Sequence, residues 1–402
     1  MVALPAISIA PVATLDAVSE VALLEAAIAR EPDDARLLGR LVELQQKLDR
    51  FDAVIGLLEP RLAGLDFGMA MALTKACLFT REANAAKAEL AQRASAAALA
   101  AAEIEAEEAS ALAEHGKALF ELGREADAAA AQRRAFALDP HGPVPLKRLV
   151  VLLLRERGFV ELAAITADLI AQGVTRTDVL AARVLALAGL GEVAAARKLA
   201  GSEQFASAAP LEPPPGWRDL PAFNAQVAAE LRANAGLRFG RFATASQHSW
   251  RVDDPPRGAT PAIDALLGAI AAQAAARIGA LPADDHPWLG ARPPALKLKC
   301  WAVITGAEGF ERWHFHPEGW LSGGYYPEVP AAVSQGSDPA GCFAFGLPAR
   351  DIGVEAAAAF GEQLVRPSAG MLSLFPSHAQ HSTYPHGAAE ERICLAFDLC
   401  PA

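Results

Sequence analysis

Two histidines near the end of the chain have the spacing of a metal site. His314 and His316 lie two residues apart in the run HFHPEGW. On an extended strand, residues at i and i+2 point to the same face, so both imidazoles can approach one ion. Imidazole is a ligand for iron, zinc, copper and nickel, and a three-ligand face leaves positions open for other groups. The spacing therefore predicts a metal centre that needs one more protein ligand.

A third histidine and an arginine follow at a distance. His381 ends the run FPSHAQH, and Arg392 lies eleven residues later, in ERICLAFD. His381 is the candidate third ligand, provided that a neighbouring strand carries it. A guanidinium binds a carboxylate through two parallel hydrogen bonds, so Arg392 can hold a small dicarboxylate whose other end chelates the metal. The alternative is a surface ion pair of Arg392 with Glu390 or Glu391.

The sequence offers an alternative for the second ligand. A common non-haem iron face has two histidines and one carboxylate, which would make His316 and Glu318 the ligand pair. Pro317 cannot donate to a sheet ladder, so we expect the strand to end near His316 and Glu318 to lie in a turn. We therefore prefer the three histidines, with Glu318 as the alternative.

Strands are predicted on both sides of these motifs. Apolar or alternating runs that are rich in β-forming residues and bounded by glycine, proline or charge are typical of strands. They are Leu296–Thr305, Met371–Phe375 and Ile393–Phe397. Between His381 and Arg392, the sequence Pro-His-Gly is typical of a turn. A hairpin there would bring Arg392 back alongside His381.

Aromatic and small residues crowd the first motif. The aromatic side chains can either line a pocket or pack inside a barrel. They are Trp313, Trp320, Tyr325 and Tyr326. Ser322 is followed by two glycines, which indicates a close backbone approach or a bulge near the site. We assign Tyr326 and Ser322 to the cofactor site, together with Arg392.

Taken together, these motifs carry a family likeness. The run HFHPEGWLSGGYY, the stretch FPS-x-x-x-H and the closing ERICLAFD resemble a bacterial group of 2-oxoglutarate/Fe(II)-dependent oxygenases. Members of that group often carry tetratricopeptide repeats in front. The resemblance covers about the last 190 residues and is strongest over Lys297–Pro401.

The resemblance implies a fold and a set of reactants. The fold is a double-stranded β-helix, also called a jelly roll, and O2 is the co-substrate. The two histidines of the HxH pair and His381 would hold Fe(II), while Arg392 would hold 2-oxoglutarate. Better-known 2-oxoglutarate oxygenases have HxD or HxE where this chain has HxH. The substrate does not follow from the resemblance.

Composition excludes several classes of protein. The net charge is −11, with a pI near 5.4, which argues against a nucleic-acid partner because such binding depends on Lys and Arg. The five cysteines are scattered and form no CxxC pair, so the sequence predicts reduced thiols and a cytoplasmic location. No uncharged apolar stretch reaches the roughly 18 residues of a membrane span.

A repeat runs through the alanine-rich first half. Three glycines, each followed five residues later by alanine, are spaced 35 and 33 residues apart, near the 34-residue period of tetratricopeptide repeats. They are Gly123, Gly158 and Gly191. The best copy is Ala109–Pro140, and Glu31–Pro60 looks like another. Ala83–Glu108 is predicted as one long helix. Stacked helix pairs would bind a protein or peptide on their concave face, or only pad or dimerise an enzyme.

These elements predict a multidomain α + β protein. Residues 1–208 are assigned to a tetratricopeptide-like helical repeat domain, and 209–221 to a proline-rich linker. Residues 222–402 are assigned to the double-stranded β-helix, with flanking helices at Phe223–Leu237 and Pro261–Ile278. The insertion 331–350, with a short strand at Cys342–Phe345, is either a lid or a passive loop.

Three functions compete at this point. The first is an Fe(II)- and 2-oxoglutarate-dependent dioxygenase that acts as a hydroxylase and whose repeats bind a protein or peptide. The second is a three-histidine metal dioxygenase that does not use 2-oxoglutarate. The third is a non-enzymatic interaction protein with a degenerate cupin-like barrel.

Overall fold

A computed structural model describes residues 5–9, 17–242, 244–255 and 260–402. It divides into two compact units. One lies within Thr14–Glu156, and the other combines Arg157–Ala402 with the N-terminal strand Ala6–Ile9. This division falls between Glu156 and Arg157, whereas the sequence prediction places the domain boundary at 209–221. The predicted domain assignment stays a prediction.

The first unit is helical throughout its described part. A short 3-10 helix at Glu59–Gly64 lies between its third and fourth α-helices. The α-helices are α1 (Ala17–Ile28), α2 (Ala35–Lys47), α3 (Phe51–Leu58), α4 (Phe67–Leu78), α5 (Ala85–Ala101), α6 (Glu105–Glu121), α7 (Glu125–Leu138) and α8 (Pro143–Arg155).

The pair α6 and α7 shows why small residues recur at fixed positions. A Cβ on Gly116 would lie 2.7 Å from the side chain of Gln132 and 3.1 Å from the carbonyl oxygen of Ala128. Only glycine allows the two helices to approach this closely. Between them, Gly123 has φ +74°, a left-handed conformation that glycine adopts without steric cost. The glycine–alanine pair at Gly123 therefore marks a helical hairpin.

The prediction of one long helix over Ala83–Glu108 is wrong. Helix α5 ends at Ala101, and the next residue, Ala102, is extended with ψ 129°. Helix α6 begins at Glu105 with three acidic residues in its first turn. Negative charge is favourable at a helix N-terminus because of the helix dipole. Alanine-rich composition concealed this boundary, because helix propensity is high on both sides of it.

A buried ion pair ties two helices of the first unit together. Arg148 on α8 lies 2.6 Å from a carboxylate oxygen of Glu114 on α6, and the two side chains are only 8% and 5% exposed. Burying a charge is costly unless it is paired. The two residues must therefore be kept or replaced together.

The second unit contains all the strands described. They are β1 (Ala6–Ile9), β2 (Ser207–Pro210), β3 (Arg238–Phe239), β4 (Ser246–Asp253), β5 (Ala295–Glu311), β6 (Leu321–Glu328), β7 (Phe343–Phe345), β8 (Gln363–Val365), β9 (Met371–Pro376), β10 (His381–Thr383) and β11 (Arg392–Pro401).

Two sheets result from the pairing of these strands. The larger sheet has the order β2-β9-β6-β11-β5-β4-β3, and β1 also pairs with β5. The smaller sheet has the order β10-β7-β8. Among the described strands, every pair is antiparallel except β1 with β5. The unit thus has a mixed α and β composition with mainly antiparallel sheets.

Helices accompany the sheets in the same unit. They are α9 (Phe159–Ala171), α10 (Thr177–Gly189), α11 (Val193–Ala200), α12 (Ser202–Phe205), α13 (Leu220–Arg232), α14 (Pro261–Gly279), α15 (Pro287–Gly290), α16 (Ala331–Ser334), α17 (Ala349–Ile352) and α18 (Val354–Phe360).

Strand β11 separates the core from a cavity by simple alternation. Ile393, Leu395, Phe397 and Leu399 are fully buried in the main hydrophobic core with α13 and α14. The residues between them face the other side of the sheet, because successive side chains of a strand alternate. Arg392, Cys394 and Ala396 line a cavity there. The strand therefore carries packing on one face and chemistry on the other.

Among the described helices, α14 alone is long and apolar enough to cross a membrane by length and composition. Seven of its side chains are instead buried in the core cluster of the second unit. A buried core helix passes the same test of length and composition.

The predicted strands are confirmed, and the predicted hairpin is wrong. Strands β5, β9 and β11 contain the three runs that the sequence predicted. The strand that begins at His381 pairs with β7, however, whereas the strand that begins at Arg392 pairs with β5 and β6. The two strands therefore belong to different sheets. The turn residues at 385–387 connect the sheets rather than close a hairpin.

The flanking helices and the insertion are close to their predicted positions. Helix α14 matches the prediction, and α13 ends five residues before the predicted Leu237. The insertion 331–350 contains the predicted short strand as β7. Part of the proline-rich segment, at β2, pairs with β9 in the larger sheet.

Candidate metal site

The three predicted histidines meet in the structure. Each offers one ring nitrogen, and the three nitrogen atoms lie within 4.8 Å of one another. The backbones of His314 and His381 form a reciprocal pair, in which each N–H donates to the other carbonyl oxygen at 2.9 Å. His316 follows two residues later and is buried. The spacing argument is therefore correct in its geometric consequence.

Hydrogen bonds fix the orientation of all three rings. Nδ1 of His314 lies 2.7 Å from the carbonyl oxygen of Arg312, and Nδ1 of His381 lies 2.9 Å from that of Ala379. Because a carbonyl oxygen only accepts, both Nδ1 atoms carry the proton. Nδ1 of His316 lies 2.5 Å from a carboxylate oxygen of Asp398. In protein metal sites, the nitrogen that does not bind the ion is held in this way.

The unprotonated nitrogens point at one another. Nε2 of His314 and Nε2 of His316 are 3.2 Å apart. Two ligands at right angles, with metal–nitrogen bonds of about 2.1 Å as in zinc sites, would be roughly 3 Å apart. Two lone pairs at this distance repel unless a cation or a proton lies between them. The donor set therefore fits a divalent metal ion.

The carboxylate of Asp398 is hydrogen-bonded to one of the three histidine rings. Oδ1 of Asp398 accepts from His316 and also from the hydroxyl of Ser322 at 2.6 Å. Ser322 lies 2.7 Å from the hydroxyl of Ser377. Asp398 thus supplies the negative charge that an HxD site would supply directly. Sequence reasoning missed it, although its even spacing from Arg392 on one strand places both on the same face.

Ser322 therefore does not occupy the predicted cofactor position. Its hydroxyl is fully buried and is used by Asp398 and Ser377. The adjacent glycines Gly323 and Gly324 line the cavity instead. Ser322 orients the carboxylate of Asp398, which in turn orients the ring of His316.

Burial keeps the rings of His314 and His381 neutral. Desolvation, followed by the proximity of His316, lowers the pKa of His314 to about 3. The same two causes, with His314 in addition, hold the pKa of His381 well below its ordinary value. Burial raises the pKa of Asp398, but the proximity of His316 and its hydrogen bonds outweigh burial, and the net pKa is lowered. Neutral imidazoles, with an ionised carboxylate bonded to one of them, are the states that favour metal binding.

Arg392 is brought into the same cavity. It is 4% exposed, and its Nη1 donates to the carbonyl oxygen of Gly341 at 2.8 Å. Its Nη2 lies 3.3 Å from the hydroxyl of Thr383. The alternative of a surface pair with the next glutamates is not seen, since Glu391 is bound to Arg232. A guanidinium has five N–H donors, so donors remain for a ligand in the cavity.

The cavity wall is mixed in character. Its aromatic and sulfur groups include Trp301, Tyr326, Phe343, Phe375 and Cys394. Burial raises the pKa of the Tyr326 hydroxyl above its ordinary value, so this group stays protonated and can donate a hydrogen bond. Tyr326 thus lies where the sequence predicts a cofactor contact, beside the strand that carries Arg392.

Glu311 was not foreseen. It lies at the end of β5 and lines the cavity with the three histidines. Its Oε1 is buried and has no hydrogen-bond partner within the described part of the chain. Burial raises the pKa of Glu311, and this outweighs the opposing effects of Ser246 and Arg251. The alternation of β5 was the available signal, because Glu311 has the same parity as Thr305 on the cavity face.

Glu318 does not reach the metal face. It is exposed and forms an ion pair with Lys299 at 2.6 Å. Pro317 ends the extended stretch before it, as the sequence argument expected. The alternative ligand set therefore has no support from the geometry.

The insertion 331–350 forms part of the wall. Phe343 lines the cavity, and the carbonyl oxygen of Gly341 accepts from Arg392. Gly341 has φ +68°, and a Cβ there would lie 2.6 Å from Val333. This part of the insertion is packed against the site and does not hang free of it.

The fold and the site together indicate a class of protein in which histidines between two sheets hold a non-haem metal ion. Residues 299–398 match the sequence model of the family described as "Putative 2OG-Fe(II) oxygenase". The matched segment contains all three histidines and Arg392. This segment is similar to the 2OG-Fe(II) oxygenases. The family match and the three histidines support an oxygenase with Fe(II) and 2-oxoglutarate as its cofactors and O2 as a substrate.

Individual proteins have low sequence identity to the chain. No curated protein matches the chain. A prolyl-4-hydroxylase from Pseudomonas putida is 20% identical, covers 50% of this chain and 96% of its own, and has a TM-score of 0.35.

Two further solved structures have the same level of similarity. A prolyl hydroxylase from Trichoplax adhaerens, in complex with a hypoxia inducible factor peptide fragment, is 15% identical over 53% of this chain and 92% of its own, with a TM-score of 0.35. HygX from Streptomyces hygroscopicus, with nickel, 2-oxoglutarate and hygromycin B bound, is 12% identical over 50% and 85%, with a TM-score of 0.35. The conclusion above rests on the family match and the site.

Proposed function

We propose that the chain is an Fe(II)- and 2-oxoglutarate-dependent hydroxylase with His314, His316 and His381 as its iron ligands. The observation that carries this is the convergence of three imidazoles and one buried guanidinium on a single cavity. These three residues would hold Fe(II) and, as three ligands only, would leave room on the ion for other groups. When bound, Fe(II) with 2-oxoglutarate supplies the oxidising chemistry.

The residues of the chain hold and isolate these groups. The three rings fix the metal, and Asp398 holds His316 in the required tautomer. Arg392 binds the far carboxylate of 2-oxoglutarate through its free N–H groups. The aromatic wall excludes water, which strengthens the electrostatic contacts inside. The protonated Tyr326 can donate a further hydrogen bond to the bound acid.

For the helical unit, we propose the binding of a protein or peptide. Support comes from an open groove of about 590 Å³ beside the 3-10 helix and α5. Its floor is apolar, with Leu62, Leu65 and Ala97, and charged groups at Glu59 and Arg93 flank it. Such a groove suits an extended or helical segment with a few apolar anchors.

The finer description of the folds is also part of the proposal. We infer that the two sheets form a double-stranded β-helix, because opposed antiparallel sheets enclose the cavity. We infer that the first unit consists of tetratricopeptide-like repeats, on the evidence of its small-residue pattern and helical hairpins. We also propose a cytoplasmic location, which is supported by five cysteines that form no disulfide within the described ranges.

The role of Arg392 gives the test of 2-oxoglutarate use. Arg392→Gln is expected to raise the KM for 2-oxoglutarate roughly 10–150-fold, because charge-assisted hydrogen bonds contribute about 1.5–3 kcal/mol. Fe(II) binding should stay within about twofold, since the ligands remain. Formation of succinate from 2-oxoglutarate measures the KM.

A matched control is Arg366→Gln. Arg366 also donates to backbone carbonyls, of Val333 and Asp338, but it does not line the cavity. Its KM should equal that of the wild type. An unchanged KM in the Arg392 variant, or iron-dependent O2 consumption without 2-oxoglutarate, would contradict the proposal.

A further inference from the structure

A short segment controls the relative positions of the three rings. We call residues 377–381 the ligand loop. The carbonyl oxygen of Ser377 accepts from the backbone N–H of His316 at 3.0 Å. At the other end of the loop, His381 forms its reciprocal backbone pair with His314. A displacement of the ligand loop would therefore move all three ligands relative to one another.

The centre of the ligand loop is bound to a helix. His378 is 1% exposed, and its Nε2 lies 2.8 Å from the carbonyl oxygen of Leu199, near the end of α11. Because the carbonyl accepts, Nε2 carries the only ring proton. Nδ1 is buried without a partner in the described ranges. The ring of His378 is thus hydrogen-bonded to the helix and is not one of the three candidate metal ligands.

A second anchor holds the loop after His316. The hydroxyl of Thr177, at the start of α10, donates to the carbonyl oxygen of Gly319 at 2.6 Å and is buried. A Cβ on Gly319 would lie 2.5 Å from the hydroxyl of Ser377 and 3.2 Å from the carboxyl of Asp398. Gly319 is therefore in close contact with the groups that hold His316.

Both anchors come from helices that the sequence analysis had assigned to the repeat domain. Helices α10 and α11 lie in the same compact unit as the sheets, which starts at Arg157. We propose that α10 and α11 are a built-in support of the metal site, and that Thr177 and His378 are positioning residues for its ligands. This inference rests on the proposed function only for the identity of the ligands.

The physical argument is one of preorganisation. Three ligands bind an ion tightly when their geometry is fixed before binding, because less freedom is then lost. Without the N–H of His378, the carbonyl oxygen of Leu199 would keep only its longer contact with Nε2 of His286, and the ligand loop would lose its hydrogen bond to the helix end. Movement of the loop would weaken the metal site.

The chain supplies a matched control for His378. Nε2 of His286 lies 3.2 Å from the carbonyl oxygens of both Lys198 and Leu199. His286 therefore contacts the same helix end but does not lie in the ligand loop. Its ring also stacks on that of His378, with 6.1 Å between the centroids, and His286→Phe keeps a ring in that position. Loss of its contact should loosen the helix end without direct displacement of a ligand.

The experiment is anaerobic calorimetric titration of the full chain with Fe(II). His378→Phe keeps a ring but removes the donor, and it is expected to raise the Fe(II) dissociation constant about 10–100-fold, as outer-shell changes do. His378→Gln, whose amide can reach the same carbonyl, should restore most of the affinity. His286→Phe should stay within about twofold of the wild type. Equal losses in His286→Phe and His378→Phe, or none in the latter, would overturn the inference.

Thr177 provides an independent pair of variants in case the histidine variant fails to fold. Thr177→Val should weaken Fe(II) binding, and Thr177→Ser should not. Thr166→Val is its control, because the buried Thr166 donates only within α9, to Leu162 and Ala163. If Thr166→Val weakens binding as much as Thr177→Val, the effect is general and the inference fails. A wild-type chain that binds no Fe(II) would instead contradict the proposed function itself.

Discussion

At the scale of single residues, the site has a histidine where an HxD site has a carboxylate ligand. The carboxylate of Asp398 instead bonds to the far side of that histidine ring. Three neutral imidazoles alone would give an iron site less negative charge than an HxD face. Asp398, bound to Nδ1 of His316, returns that charge through the ring. A partner of this kind also raises the basicity of the ligand nitrogen. The HxH pair is thus chemically closer to an HxD pair than its sequence suggests.

This arrangement predicts a measurable role for Asp398. Asp398→Asn keeps the shape but removes the charge, and it is expected to weaken Fe(II) binding about 10–100-fold. Anaerobic titration calorimetry checks this. Glu328→Gln is the control, since Glu328 bonds to Arg232 at the surface and should leave the affinity unchanged. Wild-type affinity in Asp398→Asn would show that the ring needs no charged partner.

Residue types and spacing predicted that three histidines and one arginine lie close together. His314, His316 and His381 meet as expected, and Arg392 lies in their cavity. Hydrogen-bond partners were harder to predict, because which buried oxygen a ring meets depends on packing between strands that are distant in sequence. The role expected for Ser322 failed for this reason.

At the scale of elements, close packing of the larger sheet leaves no room for side chains at certain positions. A Cβ on Gly323 of β6 would lie 2.2 Å from the carbonyl oxygen of Ser373 and 2.4 Å from the ring of Phe397. Backbone on one side cannot yield easily. The glycine therefore allows three strands to meet beside the metal cavity.

Gly323→Ala is expected to destabilise the fold by about 1–3 kcal/mol through overpacking. The midpoint of urea unfolding measures the change in the free energy of unfolding. Gly306→Ala, on β5, is the control, because nothing lies within 4 Å of a Cβ there; it should be neutral or stabilising by roughly 0.5–1 kcal/mol. Equal stability of the two variants would refute the packing argument.

Periodicity gave the strands but not their partners. The alternation in β5 and β11 is visible in the sequence, whereas the assignment of His381 and Arg392 to different sheets is not. Turn residues look alike whether a chain returns to its neighbour or crosses to a second sheet. The boundary between α5 and α6 was missed because alanine favours a helix on both sides of the break.

At the scale of the whole molecule, the tryptophans report on one unit. All six lie after residue 156, within the unit that contains the metal site. Their fluorescence therefore follows unfolding of that unit separately from the helical one. A ligand that binds only the folded state stabilises it by about 2.7 kcal/mol at a concentration 100 times its dissociation constant.

Divalent metal is accordingly expected to raise the midpoint of the tryptophan-fluorescence transition under anaerobic conditions. His381→Ala should unfold at the metal-free midpoint whether or not metal is present. The comparison uses urea unfolding with Fe(II) and with a chelator. A shift of the same size in His381→Ala would place the bound metal elsewhere in the chain.

The sequence predicted a helical half and a β-rich half, but not how tightly their ends are joined. Helices with a repeat-like pattern, α10 and α11, lie in the unit with the sheets. The sharpest change in composition is the proline-rich segment 209–221. Proline marks the end of a helix there, but it does not mark the boundary between packed units. Long-range contacts such as Thr177 with Gly319 leave no mark in local sequence.

The most direct test of the central claim is anaerobic titration of Fe(II) into the wild type and four single alanine variants. We predict one Fe(II) per wild-type chain, loss of that binding in His314→Ala, His316→Ala and His381→Ala, and full binding in Glu318→Ala. Retained binding in His316→Ala together with its loss in Glu318→Ala would contradict the three-histidine site.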